Sequence, residues 1–184
     1  MTERGAAGAL QTREALLDAG AALAEEHGLA GVSVNMVVAR AGVAKGTFYV
    51  HFSGRAAFVD AMHERFHARV GEVIGEAIAG LPPGAERLFR GSEAYLDVSL
   101  ANRGVKALSL EARSDPAAQG SMEARRKRLA SAGVADLEAM GWDDAQAAAQ
   151  LLAAMTREIS VLEFDAGHQL PAPRRALKRF LGIQ

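Results

Sequence analysis

The sequence predicts an all-α protein, and three observations carry that expectation. All five prolines (Pro82, Pro83, Pro116, Pro171 and Pro173) stand at natural breaks and leave long uninterrupted segments between them. Alternation of apolar and polar residues never persists, and β-branched residues are sparse beside alanine and leucine, so strand signals are nearly absent. Apolar residues recur instead at helical spacing, as in the run Phe58, Met62, Phe66, Val70, Val73 and Ile78.

About nine helices are expected, at residues 10–27, 33–40, 44–50, 54–80, 84–103, 104–113, 116–140, 143–167 and 172–182. Gly28, Gly42, Gly80 and Gly141 serve as stops, and Ser33 and Asp143 as starts. The segment before residue 9 carries no periodic signal, so order is expected from residue 9 onward. Residues 1–53 form a first domain and residues 54–184 a second. The helix at 54–80 begins in the first and runs into the second as a continuous rod.

The densest information lies in residues 33–52. Ser33 is suited to cap a short helix, whose Val34, Val37, Val38 and Ala41 form one apolar face. Gly42 follows where the chain must reverse, because a left-handed backbone costs glycine little. Val43, Phe48 and Phe52 anchor the next helix inward, which leaves Lys45, Thr47, Tyr49 and Val50 facing outward. From Ser33 through Arg55 there are three cations (Arg40, Lys45, Arg55) and no acid, within a chain of net charge −1. Such a helix suits the major groove of double-stranded DNA. Lys45 can meet phosphate or guanine, Thr47 and Tyr49 can donate to phosphate, and Val50 can touch a thymine methyl. Gly46 removes a side chain where the backbone would approach the DNA.

The run Gly42-Val43-Ala44-Lys45-Gly46-Thr47-Phe48-Tyr49-Val50-His51-Phe52, followed by Ser53-Gly54-Arg55, resembles the DNA-binding signature of the tetracycline-repressor (TetR) family of bacterial transcriptional regulators. The resemblance extends from about Leu10 to about Met62. It implies that Lys45, Gly46, Thr47, Tyr49 and His51 contact DNA, with Ser33 and Arg55 holding phosphates from the flanking helices. The family usually has a serine or threonine where this chain has Ala44, and often a second aromatic where Val50 stands.

The resemblance further implies an N-terminal three-helix helix-turn-helix unit, joined by a long helix to a C-terminal ligand-binding and dimerisation unit. The last two long helices would pair with a second subunit, through Leu152, Ile159, Ala176, Leu177 and Phe180. A homodimer reads a palindromic operator through two recognition helices about 34 Å apart. A pocket for a small-molecule effector, of unspecified identity, is expected between the C-terminal helices. Its candidate lining comes from Tyr95, Leu96, Leu108 and Glu111, from Met122 and Trp142, and from Met155, Glu158 and Leu162. Glu111 and Glu158 are acids beside apolar neighbours, and Arg113 and Arg157 stand next to them as possible partners. Effector binding would release the protein, a repressor, from its operator.

Other signals are weaker. His63-Glu64-Arg65-Phe66-His67 matches H-E-x-x-H, in which two imidazoles share a helix face as in zinc proteases. No His-x-x-Gly-x-x-His extension follows, and the helix already has a role as the connecting rod, so neither metal nor catalysis is expected there. Arg125-Arg126-Lys127-Arg128 spreads around a helix instead of forming one stripe. Nucleophile-elbow, P-loop and paired-cysteine motifs are missing, so no enzyme activity and no cofactor are expected. Cysteine is absent, in keeping with a reducing cytoplasm. No stretch reaches the roughly 18 apolar residues that span a bilayer, and no membrane partner is expected.

Overall fold

The computed structural model describes residues 3–28, 31–104 and 131–184. Among them are eight α-helices and no strand. They are α1 (Glu3–His27), α2 (Val34–Ala41), α3 (Lys45–His51), α4 (Arg55–Ile78), α5 (Ala85–Ala101), α6 (Val134–Ala139), α7 (Ala145–Ala166) and α8 (Pro171–Phe180). The expected helix at 104–113 and most of the one at 116–140 fall outside the described residues.

Two local differences from the sequence reading have physical causes. Helix α1 starts at Glu3 rather than at residue 10. Its Ala6, Ala7 and Ala9 are strong helix formers that outweigh Gly5 and Gly8, and Thr12 Oγ1 donates back to the Gly8 carbonyl (2.9 Å). The expected single helix over 116–140 is broken, with a turn at Ala132–Gly133 before α6. Gly133 is a poor helix former. The next turn is held by Asp136, whose Oδ1 accepts the Gly84 N–H at 2.9 Å.

The chain divides into two compact units, Met1–Ala68 with Asn102–Glu111, and Arg69–Ala101 with Ala112–Gln184. In the first, α1 packs on α2 and α2 on α3. Its core holds Leu16 and Leu17 of α1, Val37 of α2, Phe48 of α3, and Phe58 and Met62 of α4, all fully buried. Phe48, Phe52 and Phe58 form an aromatic triad with ring centroids 5.0–5.4 Å apart. Gly20 makes room for it: a Cβ there would lie 2.5 Å from Phe58 Cζ and 2.9 Å from Met62 Sδ.

In the second unit, α5, α6, α7 and α8 enclose Leu88, Phe89, Leu96, Leu137, Leu152, Ile159 and Leu177. A charged clamp joins α5, α7 and α8. Glu163, only 1% exposed, accepts from Arg174 Nε (2.6 Å) and Nη2 (2.8 Å) and from the Leu170 backbone N–H (2.9 Å). Arg174 Nη1 also donates to Asp97 Oδ1 (2.6 Å), which Gln169 Nε2 reaches at 2.9 Å. Burial alone pushes the Glu163 carboxyl up. The Arg174 and Leu170 hydrogen bonds, with the Arg174 charge, outweigh it and hold the carboxyl below its ordinary 4.5. The same contacts hold the Arg174 guanidinium more firmly protonated than usual.

Candidate nucleic-acid interface and ligand cavity

The turn between α2 and α3 follows from its residues. Ser33 caps α2 by accepting the Met36 N–H at 3.3 Å. Gly42 closes it at φ 68°, and the Val43 N–H returns to the Val38 carbonyl at 3.0 Å. Helix α3 starts at Ala44 without a side-chain cap, so only the backbone bond from Thr47 N–H to the Ala44 carbonyl (2.9 Å) closes its first turn.

Helix α3 divides sharply between an inner and an outer side. Phe48 is wholly buried and Phe52 nearly so, while Val50 is 80% and Tyr49 51% exposed. Lys45 and Gly46 are exposed as well, and Thr47 and His51 are half-buried. The branched apolar side chain of Val50 stands in water and has no role in this unit's core. The outer side thus presents an ammonium, a hydroxyl, a phenol and a branched alkyl group along two turns.

Cationic charge is more localised than the sequence reading has it. Arg40 is committed to Glu26 of α1 through a bidentate pair (2.7 and 2.8 Å), and its hydrogen bonds hold the Glu26 carboxyl below its ordinary range. Arg55 Nε donates to the Val32 carbonyl (3.0 Å), tying the start of α4 to the loop before α2. Lys45 has no ion-pair partner among the described residues, and Ser33 is exposed with its hydroxyl proton still available to donate. Arg13 of α1 stacks over Phe52, 5.4 Å from the ring centroid, close to the end of α3. The sequence already counts Arg13 toward the local positive charge at the front of the chain; its stacking on Phe52 joins residues far apart and comes only from the fold.

The second unit contains a cavity of about 100 Å³. Ile74 and Ile78 of α4, Leu88 and Gly91 of α5, and Leu152 of α7 give it a mostly apolar wall. Polar groups enter at Ser92, Thr156, and the Arg87–Asp136 pair, with Nε 3.0 Å from Oδ1. That pair lacks hydrogen-bond alignment at Nε. Tyr95 stands on the cavity wall. Leu96 belongs instead to the core, Met155 packs against that core, and Trp142, Glu158 and Leu162 are exposed. Leu108, Glu111 and Met122 lie outside the described residues, as does the Arg125–Arg128 run. Arg87, Ser92, Asp136 and Thr156 escaped the sequence reading. The only available signal was a hydroxyl at each of two positions on otherwise apolar helix faces.

Of the residues expected at a subunit interface, Leu152, Ile159 and Leu177 are buried in the unit's own core, which already uses their surface. Ala176 and Phe180 are exposed, the latter at 71%, alongside Leu151 (67%) and Leu162 (43%). On α4, His63 is buried, Glu64 exposed and His67 half-buried. No cluster of three or more metal-ligating side chains exists among the described residues, and none of their helices is long and apolar enough to cross a membrane.

Comparisons with known proteins fit this geometry. No match to a curated protein was found. A transcriptional regulator from Rhodococcus sp. Rha1 superposes with a TM-score of 0.80 at 24% identity, over 92% of this chain and 94% of that one. A TetR-like regulator from Rhodococcus sp. RHA1 gives 0.78 at 19% identity, over 93% of each chain. Reduced NemR of E. coli gives 0.75 at 20% identity, over 94% and 96%. These likenesses establish a shared fold. Residues 16–62, which hold α2, α3 and the aromatic triad, match the model of the bacterial regulatory proteins of the tetR family. That segment is thus similar to the DNA-binding part of the tetR family of bacterial regulatory proteins, and the fold of such regulators is shared over nearly all of the chain's length.

Proposed function

We propose that this protein is a sequence-specific DNA-binding transcriptional regulator, working as a homodimer and as a repressor that a small-molecule effector releases from a palindromic operator. The observation that carries the reading is the outer side of α3. Lys45, Gly46 and Val50 are exposed there, and Tyr49, its ring set edge-on against the buried Phe48 at 5.4 Å between centroids, is still half exposed. Lys45, Thr47 and Tyr49 supply phosphate or base contacts and Val50 an apolar one, while Gly46 permits close approach. His51 and the hydroxyl of Ser33 add contacts at either side. Arg55 acts first by fixing the loop at Val32 and so placing Ser33.

One such helix reads only a few base pairs, so a two-fold pair is needed for usable affinity. The exposed apolar groups Leu151 and Leu162 of α7 and Phe180 of α8 support pairing through those helices. Domain roles follow the chain: residues 1–53 bind DNA, and residues 54–184 dimerise and bind the effector, in the cytoplasm and without enzymatic activity. Helix α4 contributes residues to both compact units, which supports coupling between them. An effector that favours the subunit arrangement with misaligned recognition helices must weaken DNA binding by the factor with which DNA weakens its own.

The test is to sequence the genomic fragments retained by the purified protein and to titrate the enriched site against salt. Lys45→Ala should weaken binding across sequences and lower the salt slope by about one phosphate contact per subunit. Lack of any enriched fragment at moderate ionic strength refutes the reading.

A further inference from the structure

We infer that the cavity of the second unit takes a small, uncharged ligand built on a single ring, with one hydroxyl or carbonyl group that reaches Ser92 and Thr156. This inference rests on the effector-binding reading above and adds the chemical class. Size sets the first limit. The cavity measures about 100 Å³, against the roughly 300–1,000 Å³ common for drug-sized ligands and the roughly 150 Å³ that admits benzene. A single six-membered ring is therefore the upper limit of what the enclosed part of this partly open cavity holds.

Charge sets the second limit. The ionised groups on the described wall are Arg87 and Asp136, and they neutralise each other at 3.0 Å. Asp136 Oδ1 is further occupied by the Gly84 N–H. A carboxylate ligand would have to share Arg87 with a carboxylate whose side chain is only 3% exposed. An ammonium would meet Arg87 beside Asp136, the one counter-charge on the described wall. On that wall either ion would give up hydration without a partner of its own, which is costly in an apolar site.

The hydroxyls set the third. Thr156 Oγ1 gives its proton to the Leu152 carbonyl (2.9 Å), so its remaining capacity is to accept. Ser92 Oγ stands 3.5 Å away, at the limit of a hydrogen bond. The pair thus offers one proton from Ser92 and an acceptor on Thr156, enough for a hydroxyl or a carbonyl. Gly91, one residue before Ser92, keeps the space open. A Cβ there would make ordinary contacts at 3.5 and 3.6 Å with Ile78 and Ile74. Packing therefore does not require glycine at this point of α5, where alanine is the better helix former.

Calorimetric titration of the full chain with benzyl alcohol, toluene, benzoate and benzylamine tests the inference. Benzyl alcohol should bind at least about tenfold more tightly than either ion. Gly91→Ala should fold normally and weaken benzyl alcohol roughly fivefold by filling a methyl's worth of space. Ser92→Ala should weaken benzyl alcohol up to about tenfold and leave toluene within about twofold. Equal or tighter binding of benzoate or benzylamine overturns the inference, as does indifference to Gly91→Ala or absence of binding by all four probes. Retention of operator DNA is read separately. Binding of benzyl alcohol without any change in DNA retention would leave the cavity chemistry standing and refute effector release. Loss of all DNA binding by the unliganded protein would refute the regulator reading alone.

Discussion

Gly46→Ala separates a role in folding from a role in binding, because the two predict opposite signs. Gly46 lies in the first turn of α3, exposed, and a Cβ built on it meets no heavy atom within 4 Å. Its φ is not positive, so nothing in the backbone requires glycine. Alanine in a helix is favoured over glycine by roughly 0.5–1 kcal/mol, and the free protein should gain most of that. For a chain of this size the gain raises the melting temperature by about 1–4 °C, readable by calorimetry or circular dichroism. Against DNA the sign reverses. The added methyl projects about 1.5 Å beyond Cα, into the space a phosphate would occupy beside Lys45 and Thr47. Losing one charge-assisted hydrogen bond costs about 1.5–3 kcal/mol, or roughly 10–100-fold in affinity per subunit. Fluorescence anisotropy with the enriched operator measures that loss. A variant that is stabilised and binds as tightly as the parent would refute the close-approach argument, and a destabilised one would mean that the fold needs this glycine.

The remaining predictions concern the scaffold. Gly20→Ala should destabilise by about 1–2 kcal/mol, because a Cβ 2.5 Å from Phe58 Cζ overpacks the aromatic triad by more than helix propensity returns; urea melts followed by circular dichroism would show it. Glu163→Gln should cost about 2–4 kcal/mol at neutral pH, since it strips a buried partner from Arg174 while Asp97 remains. The folded carboxyl of Glu163 titrates below its unfolded value near 4.5, so its stabilisation is complete above that pH and is lost as pH falls through the lower folded value. The parent and the glutamine variant should therefore converge in melting temperature in acid, and a constant gap would remove the clamp from the account. Leu151→Glu with Phe180→Glu should leave the fold intact, both side chains being mostly exposed, and yield monomers by sedimentation.

Sequence alone determined the all-helical fold and the α2–α3 turn. Ser33, Gly42, Phe48 and Phe52 act locally, through capping, a left-handed backbone and the side on which a short helix must be buried. The exposure of Lys45, Gly46, Tyr49 and Val50 follows from the same period. Tertiary structure decided whatever depends on residues far apart in the chain. It assigned Arg40 to Glu26 and Arg55 to Val32, and so left Lys45 as the cation standing clear on α3. It also sent Leu152, Ile159 and Leu177 into the core and Leu151, Leu162 and Phe180 to the surface. Helical spacing cannot make that choice on α7, whose apolar side chains cover more than one face. Which of them is spent inside depends on where α5, α6 and α8 lie. The cavity has the same origin: Ser92 and Thr156 are 64 positions apart, and only the packing of α5 against α7 makes them neighbours.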